Sequence, residues 1–249
     1  MLSALHPAQA EEVMEIFPRP GVTLRLLVDA PPGAKAVAIL FAGGHGRLKI
    51  RMDGSHKALT GNFLVRSRKL FSADGFVTVL FDAPSDHMDK TGLASNYRMT
   101  PEHAGDIRAV IKRMREKFAL PVWLVGTSRG STSAANGAAT PGEGGPDGLV
   151  LTSAIGVWTS KGGNVLDFDL GAIKIPVLVV HHRDDGCRVT PFAGAEKIKA
   201  ALKNAKASEL MVFEGGGNES APCQAKSHHG YLGIEGRVVG AIAAWIKAN

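Results

Sequence analysis

A serine stands between two glycines at Gly126-Thr127-Ser128-Arg129-Gly130, directly after the β-favouring run 122–125 and before a stretch of small, helix-compatible residues. A serine on a sharp strand-to-helix turn has its hydroxyl lifted clear of the sheet, and flanking glycines leave room for that turn to close. The same five residues also make an ordinary Gly-rich turn, so the pattern alone does not separate a nucleophile from a connector. A serine hydroxyl attacks a carbonyl only when a base takes its proton and a third group holds the tautomer of that base. Residue types that can fill those places occur at Asp184 and Asp185 in "VVHHRDDG", and at His228 and His229 in "SHHGY".

The elements carrying these groups must deliver them to one place. Residues 13–17 and 22–29 read as short strands joined by Pro18-Arg19-Pro20-Gly21, which is turn chemistry and predicts an antiparallel hairpin. Runs 36–41, 76–81, 122–125, 149–153, 176–180 and 209–213 carry the signature of buried strands, which brings the expected number to eight. Helical patterns occupy 62–71, 100–118, 131–139, 196–202 and 235–246. In the second of these, Ala104, Ile107, Ile111, Met114 and Phe118 share one face. Thr100-Pro101 is a helix start signal that recurs at Thr190-Pro191. Strands alternating with helices predict an α/β fold, a mostly parallel eight-stranded sheet with helices on both faces. Neither a repeat nor a break in composition divides residues 1–249, so one domain is expected. Ligands of such a sheet bind outside the carboxyl ends of its strands. Gly43, Gly44 and His45 lie at one such end and Ser128 at another. His181, His182, Asp184 and Asp185 lie at a third, and His228 and His229 follow the last strand.

The order serine, acid, histidine, with Ser128, Asp185 and His229 each following its own strand, resembles the α/β-hydrolase superfamily over nearly the whole chain. The resemblance implies the α/β-hydrolase fold, acyl-transfer chemistry on a small-molecule acyl substrate, and no cofactor. It also guides the choice among neighbours. The family acid commonly follows the residue ending its strand by four positions, which from His181 selects Asp185 and leaves Asp184 as the alternative. His229 precedes Gly230-Tyr231, the family's His-Gly-aromatic context, and is preferred to His228. The oxyanion hole would use the backbone N–H of Arg129 and an N–H from the loop after 36–41. Gly44 is the expected second donor, with Gly43 and His45 as neighbours. The family often has His-Gly in that loop, where this chain has Ala42-Gly43. Asp82 is expected to bond loop amides. Arg98 and the Arg129 side chain read as surface or loop-anchoring groups, and His181 and His182 as strand-end packing. The His and Asp residues lack a His-x-x-x-His spacing, so no metal is expected.

Cys187 and Cys223, the two cysteines of the chain, lie beside Asp185 and His229 in sequence. If the acid and base loops meet, the thiols meet too, and a disulfide is expected. Disulfides persist in oxidising compartments. Residues 1–11 contain Ala8-Gln9-Ala10 without the basic start and apolar stretch of a full secretory signal. They read either as a signal-peptide remnant or as a flexible terminus, and together with the disulfide they suggest a periplasmic or secreted protein. The net charge of +6 is spread over clusters such as Arg66-Ser67-Arg68-Lys69 with acids between them. Solvated helix faces account for it better than a nucleic-acid surface does. No run reaches the roughly 18 apolar residues that span a bilayer. Only residues 154–175 separate the sixth and seventh strands, which leaves little room for a helical cap and predicts an open, shallow site. The loop 46–61, with Arg47, Lys49, Arg51 and His56, reads as exposed and solvated, with a positively charged edge of the site as the alternative. A serine hydrolase of esterase type is the function expected. An acyltransferase or peptidase on the same triad, and a binding protein that keeps the fold without catalysis, are the alternatives.

Overall fold

The computed structural model describes residues 11–249, apart from residues 95, 141 and 160–162. The reading of the N-terminal segment therefore falls on residues 1–10, outside the described ones. Strands β1 (Glu12–Arg19) and β2 (Val22–Asp29) pair antiparallel. Their turn is tighter than the sequence suggested, because β1 continues through Pro18 with a register shift between Ile16 and Arg19. Proline is tolerated there because β1 is an edge strand and needs no amide on its outer side.

The other strands are β3 (Ala36–Phe41), β4 (Phe76–Phe81), β5 (Val122–Thr127), β6 (Gly148–Thr152), β7 (Val177–His182) and β8 (Ser208–Phe213). Together they form one eight-stranded sheet in the order β1-β2-β4-β3-β5-β6-β7-β8. β2 meets β4 antiparallel, and β3 through β8 run parallel. The expected fold class is thus the observed one. β3, β4, β5 and β7 are buried along their whole length. That is why they read as continuous apolar runs rather than alternating ones.

Helices α2 (Pro101–Phe118), α3 (Gly130–Ala139) and α4 (Phe192–Ala201) cover one face. There Ile107, Ile111, Met114, Ala134, Ala135 and Ile198 pack on Ile39, Leu124 and Val179. Helices α1 (Phe63–Ala73) and α5 (Glu235–Ala248) cover the other, with Phe63, Phe71, Val239 and Ile242 on Leu40, Trp123 and Val180. Each such fully buried aliphatic or aromatic side chain contributes about 1.5–3 kcal/mol relative to exposure. The α2 start is capped as expected, with Thr100 Oγ1 accepting the His103 N–H at 3.2 Å.

Two expectations need correction. Thr190 does not cap α4: the helix starts at Phe192 with Pro191 as its uncapped N-cap, and the Thr190 hydroxyl points elsewhere. The loop 46–61 is not simply solvated. Leu48 and Ile50 are buried, and the Asp82 carboxylate gathers the N–H groups of Leu48, Lys49, Ile50 and Ala83 at 2.6–3.2 Å. Between β6 and β7 the described residues carry only short 3-10 turns at Val165–Asp167 and Leu170–Ala172, and no α-helical cap.

Candidate active site

β5 ends in the Gly126–Gly130 turn. Ser128 has φ +51°, left-handed backbone that a non-glycine residue adopts only when its surroundings impose it. Those surroundings are the flanking glycines. A Cβ on Gly126 would lie 2.4 Å from the Gly130 carbonyl oxygen, and one on Gly130 would lie 2.0 Å from that of Phe41. Both positions are closed to any side chain, so α3 sits tightly against β5 and β3 and the serine is forced upward. The Ser128 N–H donates to the Thr152 carbonyl at 3.0 Å, which fixes the turn to β6.

Ser128 and His229 line one small cleft, of about 50 Å³, together with Gly44, Asn62, Phe63, Thr127, Cys223, Ala225 and Gly230. The His229 Nδ1 lies 2.9 Å from Asp185 Oδ2, and both residues are buried. Burial alone would raise the Asp185 carboxyl. The hydrogen bond and charge of His229, the Cys187 N–H at 2.9 Å and the nearby His181 together hold it below the ordinary carboxylate value. Asp184 is exposed, and its N–H donates to His182 Nδ1. His228 stacks on His182 with ring centroids 4.4 Å apart and does not line the cleft. The structure thus joins Asp185 to His229 and leaves their sequence neighbours outside the arrangement.

Sequence reasoning missed three residues around this pair. The Thr190 hydroxyl donates to Asp185 Oδ2 at 2.9 Å and lies 3.1 Å from His229 Nδ1. The Ser153 Oγ donates to the His229 carbonyl at 2.9 Å. The Tyr231 hydroxyl, fully buried, donates to the Val180 carbonyl and accepts the Ser153 N–H, which ties the histidine loop to β6 and β7. Only the Gly230-Tyr231 context after His229 hinted at any of these. His181 packs as expected, its Nε2 bonded to the Thr190 carbonyl at 2.9 Å.

The Cys187–Cys223 disulfide is present, with a sequence separation of 36. It joins the acid loop to the segment that precedes His229. On the other side of the cleft, the loop after β3 comes so close that a Cβ on Gly43 would lie 2.9 Å from that of Ser128. Gly44 follows at φ +59°. Among the described residues, the backbone N–H groups of Gly44 and Arg129 have no acceptor. Two free amides therefore flank the serine, one on each neighbouring segment.

Of the two readings, surface or loop-anchoring, Arg98 takes the second: it is completely buried and donates to the Ala42 carbonyl, while Arg129 is half-buried. Ligand atoms of His182, Asp184 and His228 lie within 4.8 Å of one another, a spacing that fits a metal ion. Both His182 ring nitrogens are already engaged, Nδ1 with the Asp184 N–H and Nε2 with the Gly215 carbonyl, so a metal would have to displace one of them.

No family model matches the sequence, and no curated protein is similar enough to be matched. Solved structures are similar along nearly the full length. Est1E from Butyrivibrio proteoclasticus aligns at a TM-score of 0.62 with 17% identity, over 95% of this chain and 98% of that one. An α/β serine hydrolase without lid from Xanthomonas campestris aligns at 0.62 with 18% identity, over 99% and 97%. The Pyrococcus furiosus esterase Pf2001 aligns at 0.67 with 13% identity, over 100% and 96%. At such identities the likeness concerns the backbone, and the fold is that of the α/β hydrolases.

Proposed function

We propose that the protein is a serine hydrolase that cleaves an ester or related acyl bond through an acyl-enzyme. The observation carrying this reading is the shared cleft. A serine on a strained turn and a histidine bonded to a buried carboxylate open into it together. His229, with Nδ1–H donated to Asp185, keeps Nε2 unprotonated to accept the Ser128 proton. Ser128 Oγ then attacks the acyl carbonyl, and the Gly44 and Arg129 amides receive the charge on its oxygen. Collapse expels the alcohol, which takes the proton back from His229. Water then attacks the acyl-enzyme, with His229 again as base, and releases the acid. The shallow cleft and the absence of a helical cap among the described residues favour a short or extended acyl ester over a deeply enclosed substrate. The similar structures, an esterase and a serine hydrolase without lid among them, point the same way.

An oxidising compartment suits the disulfide, and no helix among the described residues is long and apolar enough to cross a membrane. A periplasmic or secreted location is therefore part of the proposal. A fluorophosphonate probe tests the chemistry: wild type should label on Ser128, and Ser128→Ala should lose labelling and roughly 10⁴-fold or more of its activity on short acyl esters. A wild type that neither labels nor hydrolyses leaves the alternative of a binding protein with this fold.

A further inference from the structure

The Arg98 guanidinium lies against the loop 42–46 without entering the cleft: it is fully buried and is not among the residues lining that space. One terminal nitrogen donates to the Ala42 carbonyl at 3.1 Å. The other donates to Ser133 Oγ of α3 at 2.5 Å. Its Nε has no acceptor. Burial, and secondarily the like charge of Arg129, lower its pKa to about 9, which still leaves it protonated at neutral pH. No carboxylate pairs with it among the described residues. A buried cation with no anion opposite is costly to desolvate, and its hydrogen bonds to the Ala42 carbonyl and Ser133 Oγ offset only part of that cost. Stability is therefore a weak reason for the charge.

The loop above it supplies one. Gly46 has φ +68°, and a Cβ there would lie 2.3 Å from an Arg98 nitrogen, so the loop rests directly on the guanidinium. The Gly46 N–H donates to the Gly43 carbonyl at 3.1 Å. Because C=O and N–H point in opposite directions across a trans peptide, this bond fixes where the Gly44 N–H is aimed. The Ala42 carbonyl, held by Arg98, fixes the preceding peptide in the same manner. The loop bearing the free amide is thus clamped from below by a side chain whose charge nothing neutralises.

We propose that Arg98 is a positioning residue for the oxyanion: its bond to the Ala42 carbonyl and its contact beneath Gly46 hold the loop 42–46 from which the Gly44 amide is aimed, and its uncompensated charge is balanced only when negative charge develops on the reacting carbonyl. A preorganised charge in a water-excluded setting of this kind favours the transition state over the ground state. The inference rests on the hydrolase reading above.

The test compares wild type, Arg98→Met and Arg98→Lys on a p-nitrophenyl ester of short acyl length, together with inhibition by an alkylboronic acid, which forms an anionic tetrahedral adduct on serine. For Arg98→Met, kcat should fall by about 10- to 100-fold with KM changed by less than about 3-fold. The boronic acid should weaken by the same factor as kcat/KM, and the melting temperature should fall by no more than about 10 °C, leaving the variant folded under assay conditions. Arg98→Lys, which keeps the charge and one donor, should recover part of the loss. Full kcat in Arg98→Met overturns the proposal. So does a loss of activity that only follows a loss of folded protein, and failure of both variants to fold does the same by making Arg98 structural. An inactive wild type is a different result, because it removes the hydrolase reading and the proposal with it.

Discussion

The two walls of the cleft are built by opposite rules. On the acid–base wall, nearly every polar group has found a partner: Asp185 is met by His229, Thr190 and the Cys187 amide, Ser153 holds the His229 carbonyl, and a disulfide closes the loops. On the opposite wall, the one proposed to receive an oxyanion, two amides have no acceptor, and behind it lie a buried guanidinium without an anion and a buried His103 whose Nδ1 has no partner. A base must hold one tautomer and one orientation before the reaction begins, and saturated hydrogen bonds fix both. An oxyanion exists only during the reaction, so the groups that receive it do most when nothing satisfies them beforehand.

The largest expected effect breaks the saturated wall at its centre. Asp185→Asn keeps the shape but offers His229 the wrong hydrogen-bonding partner, and kcat on a short ester should drop by roughly 10³- to 10⁴-fold. A drop of only a few fold would mean that Thr190 orients the histidine unaided. Next, Cys187→Ala with Cys223→Ala releases the closure of a segment with separation 36, and should cost about 4 kcal/mol in urea unfolding at pH 7. A loss under about 1 kcal/mol would show the loops to be held by Tyr231 and Ser153 alone. The smallest effect separates the walls by pH. Burial first, then the nearby cations Arg98 and Arg19, push the His103 pKa well below its ordinary value. The unfolded chain therefore takes up a proton that the folded chain refuses, and stability declines as pH falls below about 6.5. Asp185, held low by His229 against the raising effect of burial, keeps its contribution until pH falls below about 4. Acid should thus strain the buried histidines His103 and His181 before Asp185. In His103→Gln the slope of unfolding free energy between pH 6.5 and 4.5 should shrink by up to about 1.4 kcal/mol per pH unit. An unchanged slope would assign it to other buried histidines such as His181, whose pKa is also lowered, chiefly by burial.

The same division decided what could be read from the amino-acid order. The sheet was legible because β3, β4, β5 and β7 are buried on both faces and so are apolar without interruption. The Ser128 turn was legible because two glycines are sterically required around it. Order and place after strands narrowed the acid to Asp184 or Asp185 and the base to His228 or His229, and the family resemblance selected Asp185 and His229. Thr190 was not: Thr-Pro is a helix start by local rules, and its hydroxyl instead reaches a histidine 39 positions away. Arg98 was not either, because a lone arginine in an irregular segment carries no periodicity, and its burial comes from elements distant in sequence. The loop 46–61 does carry a signal of burial in its sequence. Leu48 and Ile50 alternate with Arg47, Lys49 and Arg51, and that alternation marks an inward and an outward side.

The strand order has a consequence for the chain as it is synthesised. Ser128 leaves the ribosome on β5, in the middle of the sheet, while β7 and β8, which lead to Asp185 and His229, are added at one edge afterwards. Until that edge is in place the Ser128 turn exists without the histidine proposed as its base. On the hydrolase proposal, reactivity therefore arrives only with the last strands to be made.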